Sequence, residues 1–247
     1  GASVSAEVTQ FFEALGIHIT VGYGLTETTA TLTCFPFHHF IHGSAGIPIG
    51  DTQIKIGEND EILAKGSGIM KGYYKKPQET AEVFTTDGWF KTGDAGKFDA
   101  QGNLFITYRI KDLMKTSNGK YVTPQPIENM LSNNNFINQA MIVAEGKPFV
   151  TAVIIPNFEA LTDQLQKMSI PFTTWEEIVN SDRVKEFYRE KIDEIQKGLS
   201  GFEKVKKFIL MPAEFEVNNG EITPTLKVKR NVVLNKYADL IDKMYSH

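Results

Sequence analysis

Hydrophobic residues first recur at helical spacing at Val8, Phe11, Phe12 and Leu15. Ser5 stands before them as a helix cap and Gly16 after them as a helix end, so the pattern predicts an amphipathic helix. The run Ile17-His18-Ile19-Thr20-Val21 then reads as a short buried strand. Together they predict the last α/β unit of a larger sheet. From Gly43 to Thr107 the period changes, and short β-type runs at 53–56, 61–64 and 103–106 alternate with glycine turns. A small β-rich subdomain is predicted over about 43–107, with one helical turn at 80–84 inside it.

Near Arg109 the texture changes again, and a domain boundary is placed there, giving 1–109 and 110–247. Ser117-Asn118-Gly119 predicts a turn. Thr123-Pro124 opens a helix with Ile127, Met130 and Leu131 on one face. Two β runs, 140–145 and 149–155, flank Gly146-Lys147-Pro148 as a hairpin. Ser181 caps a helix with Val184, Phe187, Tyr188, Ile192, Ile195 and Leu199 at helical spacing. A strand is predicted over 206–211. Asn231 caps a final helix with Val233, Tyr237, Leu240, Ile241 and Met244 inward. Helices mixed with short sheets predict a compact α+β domain in this half, so the whole reads as mixed α/β.

Composition removes several function classes. Hydrophobic residues are 41% of 247, enough for real cores. Net charge is -4, from 26 basic and 30 acidic side chains, which argues against a nucleic-acid partner. No apolar run approaches the ~20 residues that span a bilayer. Cys34 is the single cysteine, so no disulfide framework forms, and a reducing, cytoplasmic setting fits. The chain opens at Gly1-Ala2-Ser3 without Met and reads as an excised piece of a longer protein.

Four spaced segments carry candidate chemistry. In Gly22-Tyr23-Gly24-Leu25-Thr26-Glu27, an aromatic between glycines offers a face to a purine. The Thr26 hydroxyl can bind phosphate, and the Glu27 carboxylate can hold Mg²⁺ directly or through water. A capped surface turn is the plainer reading of that segment alone. In Lys91-Thr92-Gly93-Asp94, Asp94 can accept two ribose hydroxyls, or it is a turn aspartate. Arg109 can fix the same sugar or a phosphate, or stand on a strand end. Lys227, in Thr223-Pro224-Thr225-Leu226-Lys227-Val228-Lys229-Arg230, can neutralise charge developing on a carboxylate or phosphate, or belong to a solvated basic edge. Cys34, His38, His39 and His42 have metal-like spacing but no further motif, and are read as an ordinary loop. Gly66-Ser67-Gly68 to Gly72 lacks the Gly-Lys-Ser/Thr of a Walker loop and is read as turns.

In this order, and with Tyr108-Arg109-Ile110-Lys111-Asp112-Leu113-Met114-Lys115 among them, the segments resemble the adenylate-forming ANL superfamily over essentially the whole chain. That superfamily holds acyl-CoA synthetases, peptide-synthetase adenylation domains and beetle luciferase. The wording looks most like long-chain fatty-acid CoA ligases, although other branches more often carry glycine where Leu226 stands. The resemblance implies an ATP-dependent ligase that forms acyl-AMP, releases pyrophosphate, and passes the acyl group to CoA. It implies that Gly22, Tyr23 and Gly24 bind the nucleotide, with Tyr23 against adenine, Thr26 at phosphate, Glu27 at Mg²⁺, and Asp94 and Arg109 at ribose. Lys227 would be the adenylation lysine and Lys111 the hinge. Lys115 and Gly119 would lie where nucleotide and CoA pass. Residues 1–109 would be the end of the large AMP-binding domain and 110–247 the small mobile domain. The phosphate loop and most of the acyl tunnel would lie upstream of Gly1. Fatty acid, ATP and CoA are the implied small-molecule substrates. Peripheral membrane contact of the longer parent stays open, as does association through an exposed sheet edge. A carrier protein in place of CoA, or a non-catalytic nucleotide-binding or interaction module, are the other readings.

Overall fold

Alternation of apolar and polar residues builds most of the first unit. The computed structural model describes residues 6–35, 41–224 and 228–246. It divides into two compact units, 1–111 and 112–247.

In the first unit, helix α1 (Ala6–Ala14) ends at Gly16, whose N–H reaches the carbonyl of Glu13 at 2.8 Å. Ser5, its expected cap, lies outside the described residues. Residues 17–21 do not form the predicted buried strand. Ile17 is 51% exposed, and the strand begins only at β1 (Gly22–Tyr23). A strand needs a ladder, and the ladder of β1 with β2 begins only at Gly22 opposite Cys34. Antiparallel partners β2 (Thr33–Cys34) and β3 (Ile47–Pro48) complete a small sheet. An antiparallel meander follows: β4 (Gln53–Ile56), β5 (Glu61–Lys65), β6 (Phe90–Phe98) and β7 (Leu104–Arg109). The helical turn predicted at 80–84 starts earlier, as α2 (Pro77–Glu82), because Pro77 is pre-set for a first helical turn. Tyr23, Leu32, Ala45, Ile62, Ala64 and Leu104 form the core between the two sheets.

The second unit opens with β8 (Met114–Lys115) and β9 (Tyr121–Val122), paired around the turn at Gly119. Helix α3 (Pro124–Ser132) begins where Thr123-Pro124 predicts. Strands β10 (Ile137–Val143) and β11 (Thr151–Pro156) form the expected hairpin. Three helices follow, α4 (Phe158–Lys167), α5 (Trp175–Asn180) and α6 (Asp182–Ile195). Strand β12 (Lys207–Leu210) then pairs parallel with β11. One face of this sheet packs on α3 and α6 through residues such as Ile142, Ile154, Tyr188 and Ile192. The other face, with Met141, Val153 and Ile155, is covered by Phe215, Val233 and Ile241.

The final helix is broken. It runs as α7 (Arg230–Lys236) and α8 (Ala238–Lys243), with Tyr237 at φ -110°, ψ 21° between them. Lys229, not Asn231, precedes the first turn, and Leu240 points outward at 43% exposure. The Tyr237 hydroxyl donates to Glu221 at 2.6 Å, a tertiary bond that periodicity does not register. Among the described residues no helix is long and apolar enough to cross a membrane.

Candidate functional site

Asp94 sits where strand β6 is distorted. Gly93 adopts φ +73°, and the register of β5 against β6 shifts between Glu61 and Leu63. This is a β-bulge, which re-aims the side chain that follows it. Asp94 is therefore a strand residue and not a turn aspartate. Three bonds hold the distortion. The N–H of Gly93 donates to Glu61 Oε1 at 3.1 Å, and that of Asp94 to Thr92 Oγ1 at 3.2 Å. Thr92 Oγ1 donates in turn to the carbonyl of Ile62 at 2.8 Å.

Both oxygens of the Asp94 carboxylate are engaged. Tyr23 donates its hydroxyl to Oδ2 at 2.8 Å, and Arg109 donates Nε to Oδ1 at 2.9 Å. Asp94 is 6% exposed, while the Arg109 side chain is half exposed. Strand pairing sets this up, since Asp94 and Arg109 are direct partners across β6 and β7. Tyr23 is buried at 9% exposure and packs in the core of the first unit. Burial, and then the charge on Asp94, push the Tyr23 hydroxyl well above its usual range, which keeps it a donor.

The segment after Tyr23 is a tight turn. Thr26 to Thr28 form one 3₁₀ turn, and the Leu25 N–H donates to Thr28 Oγ1 at 2.9 Å. A Cβ on Gly24 would lie 2.2 Å from the carbonyl oxygen of Ala30, so only glycine fits. Thr26 is exposed on this turn. Glu27 is half-buried and accepts the Tyr73 hydroxyl on Oε1 at 2.9 Å. That bond raises the Tyr73 hydroxyl above its ordinary value. The backbone joins the same two loops, with Met70 N–H on the carbonyl of Glu27 at 2.8 Å. Among the described residues Tyr73 is the one donor to this carboxylate, and such a group suits Mg²⁺, which takes one or two carboxylates and completes its shell with water and phosphate. Among the described residues no group of three His, Cys, Asp or Glu could hold a metal unaided. His42 lies between Thr9, at 2.8 Å, and Glu13, at 2.6 Å. His38 and His39 lie outside the described residues.

The other residues singled out by the sequence are more scattered. Lys111 is exposed in the 3₁₀ turn Ile110–Asp112, at the edge of the first unit. In the second unit, the Lys115 N–H donates to Glu145 at 2.7 Å, and its ammonium lies 5.6 Å from the Tyr121 ring centre. Gly119, at φ +75°, closes the turn by donating to the carbonyl of Thr116 at 2.9 Å. Lys227 lies outside the described residues, but both flanks of its segment are anchored. Ile222 bridges Val228, and the Lys229 N–H reaches the carbonyl of Glu221 at 2.7 Å. Glu221 is 1% exposed, and its side chain accepts from Lys236 at 2.9 Å, Tyr237 at 2.6 Å and the Glu216 N–H at 3.0 Å. Burial pushes this carboxyl up, but these donors outweigh it and hold the group below its ordinary range.

Sequence reasoning missed Tyr73, Glu61 and Glu221. Tyr73 sits in the glycine-rich stretch read as turns, 46 residues from Glu27, and no local pattern joins the two.

The family model described as AMP-binding enzyme matches residues 1–74, and that described as AMP-binding enzyme C-terminal domain matches 111–247. Among curated proteins, the chain is 35% identical over 248 residues to long-chain-fatty-acid–CoA ligase FadD15 of Mycobacterium bovis, covering 100% of this chain and 41% of the relative. It is 34% identical over 260 residues to human long-chain-fatty-acid–CoA ligase 1, covering 99% of this chain and 37% of that one. It thus spans about two fifths of the length of these relatives. Among solved structures, the AMP-bound A domain of carboxylic acid reductase from Segniliparus rugosus matches 99% of this chain and 38% of its own, with TM-score 0.77 and 24% identity. O-succinylbenzoate coenzyme A synthetase from Bacillus subtilis, with AMP, matches 94% and 44% with TM-score 0.70 and 22% identity, so both neighbours speak to the fold. Two family models in sequence order, the second covering more than half of the residues, agree with motifs read from the sequence alone: the chain belongs to the AMP-binding enzyme family, within the adenylate-forming superfamily.

Proposed function

We propose that this chain carries the ribose-binding, metal-binding and lysine-bearing parts of an ATP-dependent long-chain fatty-acid CoA ligase. Its similarity to long-chain-fatty-acid–CoA ligases over essentially all of its length carries the reading. The preorganised Asp94 carboxylate supports it, since a fixed acceptor pair suits a sugar diol. Asp94 and Arg109 hold the ribose, and Thr26 meets phosphate. Glu27, oriented by Tyr73, holds Mg²⁺, which neutralises phosphate charge when bound. A fatty carboxylate oxygen attacks the α-phosphorus, the α–β bridging bond breaks, and pyrophosphate leaves. Lys227 stabilises the charge gathered at the α-phosphate in that step. In the second step the CoA thiol, losing its proton, attacks the acyl carbon, and AMP leaves with the electron pair. Lys111 is the pivot between the steps. Lys115 and Gly119 belong to the face that the second step uses. Alternation of this kind keeps water from the mixed anhydride.

Lys227→Ala tests the reading in the enzyme that carries this sequence. Fatty-acid-dependent pyrophosphate exchange is expected to fall by roughly 100-fold or more. Thioester formation from supplied acyl-AMP is expected to persist. Near-normal exchange would remove Lys227 from the first step. Failure to make acyl-CoA in the presence of acyl-AMP and CoA would remove CoA as the acceptor.

A further inference from the structure

We propose that Glu221 is a positioning residue for the first half-reaction: its buried carboxylate ties the base of the segment that carries Lys227 to the break in the last helix. The proposal rests on the reading of Lys227 as the lysine of that step.

A buried carboxylate needs donors for its charge, and those of Glu221 come from two places. Oε1 accepts the Lys236 ammonium at 2.9 Å and the Tyr237 hydroxyl at 2.6 Å, both at the C-terminal end of α7. Oε2 accepts the Glu216 N–H at 3.0 Å, and the Glu221 N–H returns to the Glu216 carbonyl at 3.1 Å. These two bonds close a turn in which Gly220 takes φ +72°. The Glu221 carbonyl then accepts the Lys229 N–H at 2.7 Å, and Ile222 bridges Val228 antiparallel. Residues 223–227 thus leave and return at one very short ladder, and Lys227 is the residue before its returning rung. A ladder so short is marginal by itself. Glu221 gives it a footing, because the Tyr237 ring lies 6.3 Å from that of Phe215, in the core behind the sheet. A cation that stabilises charge on the α-phosphate must be held closely in place, and small misplacements are costly. Lys227 serves the first step and not the second, so a loosened ladder is felt in one half-reaction only.

The test separates the half-reactions in the enzyme that carries this sequence. Fatty-acid-dependent pyrophosphate exchange reads the first, and acyl-CoA formation from supplied acyl-AMP and CoA reads the second. An amide cannot accept on both sides, so Glu221→Gln must release either the Glu216 N–H or the donors at Lys236 and Tyr237. Pyrophosphate exchange is expected to fall roughly 10-fold or more, with the second half-reaction within about two-fold of wild type. Tyr237→Phe keeps the ring and is expected to lower the same half-reaction by a smaller factor. Tyr188→Phe is the control. It removes a hydroxyl bond to the Phe136 carbonyl, at 2.8 Å, on the opposite face of the same sheet, and is expected to keep the wild-type ratio of the two rates. Added to Lys227→Ala, Glu221→Gln is expected to lower pyrophosphate exchange no further. Hydrogen exchange at the Lys229 amide needs no activity, and it is expected to quicken in Glu221→Gln. Equal losses in both half-reactions, the same shift of ratio in Tyr188→Phe, or an unchanged Lys229 amide would each overturn the proposal. Wild-type pyrophosphate exchange in Glu221→Gln beside a collapse in Lys227→Ala would overturn it while leaving Lys227 in the first step. Wild-type pyrophosphate exchange in Lys227→Ala would overturn the reading on which the proposal rests. Should Glu221→Gln fail to fold, Tyr237→Phe decides by the same ratio.

Discussion

Arg230 and Glu128 are 102 residues apart in the chain and meet at 2.6 Å. Their bond ties α7 to α3, and Glu128 also accepts the Ile142 N–H at 2.7 Å, while Arg230 donates to the Ile142 carbonyl. Two helices and a strand thus converge on one half-buried carboxylate. Arg230→Ala leaves that carboxylate without its counter-charge and is expected to cost about 2–3 kcal/mol. Urea unfolding measures it, and a loss within experimental error would reduce the pair to a surface contact.

Glu221 makes the second unit sensitive to acid. Its carboxyl titrates below its ordinary 4.5 in the folded chain, so the unfolded chain binds the proton more readily. The stability it contributes is complete above 4.5 and is lost as pH falls through that value and then through the folded one. Glu221→Gln is expected to be less stable near neutrality and to flatten the fall in melting temperature on acidification. Parallel curves for the two proteins would show that the carboxyl does not titrate differently on folding.

Tyr73 orients Glu27 from a loop with no other role in the proposed site. Tyr73→Phe removes the donor and keeps the ring. Groups that orient a metal-binding carboxylate are typically worth about 10-fold or more in metal affinity. The Mg²⁺ concentration for half-maximal pyrophosphate exchange is therefore expected to rise about 10-fold, with little change at saturating metal. An unchanged Mg²⁺ dependence would separate Glu27 from the metal or Tyr73 from Glu27.

Limited trypsin digestion reads out the two-unit division. Arg109 and Lys111 are exposed at its border, whereas much of the second unit is helix and sheet around continuous cores. Early cleavage is expected at Arg109 or Lys111, leaving a resistant C-terminal product. First cuts between 120 and 220 would contradict an independent second unit.

Local signals were legible wherever sequence neighbours decide structure. Thr123-Pro124 fixed the start of α3, and alternation located β4, β5 and β7. Asn157 before Phe158, Leu161 and Leu165 is an equally local signal for α4, and Asn157 accepts the Ala160 N–H at 3.3 Å. Other features are tertiary. The orientation of Asp94 depends on a bulge that needs β5 beside it, and Tyr237, at the break in the last helix, bonds to Glu221, 16 residues earlier. The apolar period of α1 is legible in the sequence, yet Phe11 is 61% exposed, since a hydrophobic period states what should be buried and not what buries it. Motif residues could be named from the sequence, but their partners Tyr73, Glu61 and Glu221 became visible only in three dimensions.

Strand β11 is paired on both edges, by β10 and β12, and all six of its residues are buried. No local fraying frees such a strand, because either edge must lose a neighbour and either face its cover. Its amide protons should therefore exchange with solvent only when the whole second unit unfolds. The slowest deuterium uptake of Ala152, Val153 and Ile154 would thus report the global stability of that unit directly, and any variant of the ligand-facing loops could be scored against it without an activity assay.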